Sequence, residues 1–106
     1  MEIKERMSIM TKLKGIDVSG YQGNIDFKKV KASGVEFVII KAGYHLSTVE
    51  TWEKNYANAK NNGLKVGAYW YSAALTLDGI RAEATAFIRA LKGKQLDFPV
   101  YFDLEL

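Results

Sequence analysis

The sequence contains no cysteine and one histidine, His45. Without thiols there can be no disulfide, no zinc–thiolate site and no cysteine nucleophile, although the compartment stays open. One histidine cannot supply the paired imidazoles of common zinc sites, so no metal is expected. A lone loop histidine is also more often a bystander than a base. No apolar run approaches the ~20 residues that a membrane span needs. The opening Met1-Glu2-Ile3-Lys4-Glu5-Arg6-Met7 is charged and has no apolar h-region, so no signal peptide is visible. No basic run interleaved with aromatics marks a nucleic-acid partner. The loop Gly20-Tyr21-Gln22-Gly23-Asn24 lacks both glycine-rich phosphate fingerprints, which disfavours nucleotides. The net charge of +3 suits either approach to a polyanion, such as a bacterial envelope, or a merely soluble surface.

What is present is enough for one domain with a real core: 106 residues, 48% hydrophobic and 12% aromatic. Residues 1–13 are polar and lysine-rich and read as an extension, either a disordered tail or a short helix. Four apolar stretches follow that read as strands. Residues 15–19 form the first, with Asp17 on the face opposite Ile16 and Val18. Residues 35–42 are nearly continuous in hydrophobicity, as in a strand covered on both faces, and put Lys41 on the face of Phe37 and Ile39. Residues 64–72 set Tyr69 and Tyr71 on one face and Ala68 and Trp70 on the other. Residues 99–106 are expected to be a buried strand, with Tyr101, Asp103 and Glu105 sharing a face.

Helices are expected between these strands. Asp26 is a good N-cap for residues 27–33, which Gly34 ends. Ser47 and Glu50 have capping-box spacing and would open a helix reaching about residue 62. Thr76 or Asp78 would cap a helix over residues 80–92, with Ile80, Ala84, Phe87, Ile88 and Leu91 on one stripe. Strands alternating with helices imply a parallel sheet with right-handed crossovers. The fold class is therefore α/β.

In parallel sheets of this kind functional groups gather at the carboxyl ends of the strands. Asp17, Lys41, Tyr71, Asp103 and Glu105 all lie near such ends. Singly, Asp17 is as consistent with a turn aspartate and Lys41 with a snorkelling surface lysine. Two carboxylates in an apolar strand are costly unless they have partners or work to do. At i and i+2 they sit about 6–7 Å apart, close enough for each to raise the other's proton affinity. One of the pair can then stay protonated near neutral pH while the other carries charge. A divalent-ion site is the alternative, and no further clustered acids support it.

Five stretches together resemble glycoside hydrolase family 25, the lysozymes of bacteria, phages and fungi. They are Gly15-Ile16-Asp17-Val18-Ser19-Gly20-Tyr21-Gln22-Gly23, residues 30–44 (VKASGVEFVIIKAGY), 55–63 (NYANAKNNG), 66–72 (VGAYWYS) and 99–105 (PVYFDLE). The combination of D-V-S-x-x-Q with P-V-x-x-D-x-E is the specific part. The resemblance covers residues 14–106 as the N-terminal half of a catalytic domain. It implies a partial (β/α) TIM-like barrel of four parallel strands and three intervening helices. It further implies a muramidase that cleaves the β-1,4 bond between N-acetylmuramic acid and N-acetylglucosamine at the bacterial cell wall, outside the cell or during phage lysis. Glu105 would be the general acid, Asp103 the carboxylate at the anomeric centre and Asp17 a further acid. Tyr69, Tyr71 and Lys41 would meet the sugar, and no cofactor is implied. The stretch between Tyr44 and Trp52 looks shorter than the family's usual loop. A half-barrel would leave its first and fourth strands as open edges, so a homodimer through them is expected. A glycan-binding remnant that needs a second chain is the alternative reading.

Overall fold

The computed structural model describes residues 4–7, 14–19 and 24–104. Nine elements follow in order: β1 (Lys4–Met7), β2 (Lys14–Val18), α1 (Phe27–Ala32), β3 (Phe37–Tyr44), β4 (Ser47–Thr48), α2 (Trp52–Asn61), β5 (Lys65–Ser72), α3 (Leu77–Leu91) and β6 (Tyr101–Leu104). The sheet order is β1-β2-β3-β5-β6, with the short β4 attached to β3. The strands β2, β3, β5 and β6 run parallel, with α1, α2 and α3 as the crossovers. Four parallel strands with intervening helices make the partial barrel.

The outer face of the sheet carries the core. Ile16, Val18, Val38, Ile40, Ala42, Val66, Ala68 and Trp70 pack with Phe27, Trp52, Ala59 and Phe87 from the helices. The rings of Trp70 and Phe87 are 5.4 Å apart. The Trp52 indole N–H donates to the Ala90 carbonyl at 3.1 Å, joining α2 to α3. Burying a large side chain of this kind stabilises the fold by roughly 1.5–3 kcal/mol. Because β3 has neighbours on both sides and helices over one face, its run of apolar residues is almost wholly buried.

The helix ends follow their sequence signals in part. The Asp26 carboxylate accepts from the Lys28 and Lys29 amides, and Gly34 adopts φ +97° just beyond α1. The Thr76 hydroxyl accepts from the Gly79 amide and starts α3 three residues earlier than the apolar stripe suggests. The capping box at Ser47 and Glu50 does not form. Ser47–Thr48 pairs back on β3 as β4, and α2 starts at Trp52. The pull of a two-residue hairpin turn outweighs the cap there. Asp97 pins the segment after α3 by accepting from the Val66 amide at 2.8 Å and from Lys60 Nζ at 3.1 Å. Burial raises the Asp97 pKa, but these bonds and the lysine charges outweigh it and hold the carboxyl below its ordinary range.

Three expectations need correction. Lys4–Met7 is neither tail nor helix but a strand antiparallel to β2, so the first parallel strand is not an open edge. The last strand is not buried: β6 pairs only with β5, and Val100 and Leu104 are 44% and 48% exposed. Among the described residues β6 has one neighbouring strand, and Phe102 is its side chain packed against the core cluster. Ile88 is 69% exposed, whereas Glu83 is fully buried on the inner stripe of α3.

Candidate active site

The inner face of the sheet, opposite the core cluster, builds up in layers. At the base, Phe37 and Phe98 stack with ring centroids 5.0 Å apart, and Ile39 lies above them. Asp17 is in register with Ile39 and is 8% exposed. One layer further along, Lys41, Tyr69 and Tyr101 align across β3, β5 and β6. The last layer aligns Tyr44, Tyr71 and Asp103. Period-two alternation thus brings Asp17, Lys41, Tyr69, Tyr71 and Asp103 to one face near the strand carboxyl ends. Glu105 and the loop residues 20–23 lie outside the described residues.

One residue on that face escapes a simple alternation. The register of β3 slips between Lys41 and Gly43, so Tyr44 rather than Gly43 rejoins the face of Lys41. The Tyr44 and Tyr71 rings lie 5.6 Å apart. The Lys41 ammonium sits 5.4 Å from the first centroid and 5.3 Å from the second. Cation–π attraction favours that placement. Burial lowers the Lys41 pKa by penalising the charged amine. Two aromatic faces and an ammonium are groups that can grip a sugar ring and an anionic substituent.

A second polar cluster stands beside this face. Glu83 reaches from α3 with its side chain completely buried. Its carboxylate accepts from the Ser72 hydroxyl, from the Ala73 amide at 2.9 Å and from His45 Nδ1 at 3.1 Å. Burial pushes the Glu83 pKa up. The Ser72, Ala73 and His45 hydrogen bonds and the histidine charge outweigh it, so the carboxyl stays below its usual value. His45 occupies the two-residue turn between β3 and β4 with φ +54°, a left-handed conformation that costs a non-glycine residue about 1 kcal/mol. Its amide donates to the Tyr71 carbonyl at 3.0 Å, and its carbonyl accepts from the Trp70 indole at 2.8 Å.

Sequence reasoning passed over Tyr44, Ser72 and Glu83, and ranked His45 as a bystander. A signal for Glu83 exists: it stands three residues after Ile80 and four before Phe87, a lone charge on an apolar stripe. No periodicity reveals Tyr44, because the bulge resets the parity.

A parallel β/α sheet with its polar groups collected at the strand carboxyl ends is the plan of a β/α-barrel enzyme scaffold. Comparison with known proteins narrows this. The sequence profile described as Glycosyl hydrolases family 25 matches residues 16–106. The autolytic lysozyme of Clostridium acetobutylicum is 42% identical over 95 residues, covering 89% of this chain and 28% of that protein. Among solved structures, a family 25 glycosyl hydrolase from Bacillus anthracis superposes with a TM-score of 0.78 at 28% identity. It covers 97% of this chain and 47% of its own. The modular autolysin LytC from Streptococcus pneumoniae, solved with a synthetic peptidoglycan ligand, superposes with a TM-score of 0.80 at 25% identity, over 98% of this chain and 23% of its own. The chain belongs to glycosyl hydrolases family 25. It spans less than half the length of each of these three relatives.

Proposed function

We propose that this chain is part of a peptidoglycan hydrolase that cleaves the β-1,4 bond between N-acetylmuramic acid and N-acetylglucosamine, with residues 14–106 as the N-terminal half of the catalytic domain. The register that sets Asp103 beside Tyr71 on the face of Lys41 and Asp17 carries this reading. The lysozyme relatives support it. In the proposed mechanism Glu105 protonates the leaving oxygen. Asp103 stabilises positive charge, or the substrate N-acetyl group, at the anomeric centre. Asp17 supplies further negative charge below. Tyr69, Tyr71 and Lys41 hold the saccharide, with aromatic faces against ring C–H groups and the ammonium towards acidic substituents. The site of action is the bacterial cell wall, reached outside the cell or during phage lysis.

Digestion of purified peptidoglycan tests this. Soluble fragments ending in reducing N-acetylmuramic acid are expected. Fragments ending in reducing N-acetylglucosamine would contradict the bond assignment. Binding to the sacculus without fragment release would favour the glycan-binding alternative.

The same reading includes a homodimer. The exposed apolar residues Val100 and Leu104 beside an edge strand favour it, since such an edge can add a strand from a second copy. Among the described residues β1 and β6 are the two terminal strands of the sheet, and the exposed apolar side chains favour β6 as the pairing surface.

A further inference from the structure

Glu83 is an unusual occupant of its position. A buried charge is expensive, and an apolar residue would occupy the position at lower cost. Its ligands do not come from its own helix. They come from the end of β5, through Ser72 and Ala73, and from the turn after β3, through His45. The turn residue is equally unusual. His45 takes a left-handed conformation where a two-residue hairpin turn often uses glycine. All three of its polar contacts lead away from its own hairpin: to Glu83, to the Tyr71 carbonyl and to the Trp70 indole. The residue before it is Tyr44, 49% exposed and stacked beside Tyr71 and Lys41.

We propose that His45 and Glu83 form a latch that ties the β3–β4 turn to β5 and α3 and so positions Tyr44 as a wall of the saccharide-binding face. His45 and Glu83 are positioning residues that act through Tyr44, and the second part of this inference rests on the function proposed above. The carboxylate can only accept, so His45 must carry a hydrogen on Nδ1.

The test uses the full chain with three substitutions. His45→Gly suits the turn and removes the imidazole, so folding is retained. His45→Asn tolerates the left-handed conformation and keeps a donor close to the Nδ1 position. Glu83→Gln removes the buried charge at constant shape. In the first arm, hydrogen exchange is read at the His45 amide and the Trp70 indole. His45→Gly and Glu83→Gln should speed it about tenfold or more, as expected for loss of a hydrogen bond to a charged group, and His45→Asn should restore most of the protection. Unchanged exchange in His45→Gly overturns the latch, whatever the ligand. In the second arm, binding of a tetrasaccharide of alternating N-acetylglucosamine and N-acetylmuramic acid is measured. His45→Gly should weaken it about three- to tenfold, the worth of one misplaced aromatic contact. With peptidoglycan as substrate the loss should fall on KM rather than on kcat. Faster exchange with unchanged tetrasaccharide affinity overturns the role of the latch in positioning Tyr44. A wild-type chain that binds no tetrasaccharide overturns the proposed function instead, and the exchange arm then decides the latch alone.

Discussion

At the scale of single residues, two carboxylates carry opposite lessons. Asp103 lies in an obvious motif and is exposed on the edge strand, whereas Glu83 lies in no motif and is fully buried among three donors. The buried one has a consequence for stability. Its folded pKa is below the ordinary carboxylate value of 4.5, so it stabilises the fold fully above that pH. The contribution disappears as the pH falls through the folded pKa. Thermal unfolding followed from pH 7 to pH 3 should therefore show wild type losing more stability than Glu83→Gln below about pH 4.5. Parallel losses would contradict this account of Glu83. Asp97, also held below its ordinary value, leaves an acid dependence that both proteins share.

At the scale of elements, β3 decides the shape of the site. Its bulge turns Tyr44 inward and brings the Gly43 backbone against Trp70, where a Cβ would overlap the indole ring. Gly43→Ala should destabilise the fold by about 1–3 kcal/mol as an overpacked contact, read from denaturant midpoints. A change below about 0.5 kcal/mol would mean that β3 and β5 separate more easily than this packing implies. The same strand marks the limit of sequence reading. Alternation alone was enough to place Tyr69 with Tyr71, and Lys41 with Phe37 and Ile39, because an unbroken strand has a fixed period of two; that the two sets share one face of the sheet comes from the register of β3 and β5. It failed at Gly43, where one extra residue reverses the parity, and at Ser47, where local cap chemistry competed with hairpin pairing and lost. The core-facing stripe of α3 was legible at Phe87, which is buried, and at Leu91, which packs against the core. Exposed Ile88 and buried Glu83 were not, because hydrophobicity does not register the three donors that compensate a charge.

At the scale of the whole molecule, the strand order explains both the site and the edges. The βαβ units align β2, β3, β5 and β6 in parallel so that every carboxyl end opens on one side. The antiparallel β1 was outside the reach of pattern reading, since a four-residue charged stretch has no strand signature; only its pairing with β2 makes it one. The exposed Val100 and Leu104 make β6 the surface of the proposed association. Light scattering at micromolar concentration is expected to give twice the monomer mass, and Leu104→Lys should return the monomer by charging the edge. A monomeric wild type would rule the dimer out.

In the proposed reaction Asp103 and Glu105 together perform the glycoside hydrolysis. The most direct measurement compares wild type with Glu105→Gln for release of reducing ends from purified peptidoglycan at equal protein concentration, with circular dichroism as the check on folding. Loss of a general acid should lower turnover by about 10²–10⁴-fold while the folded signal is unchanged. Turnover by Glu105→Gln equal to wild type would contradict the account.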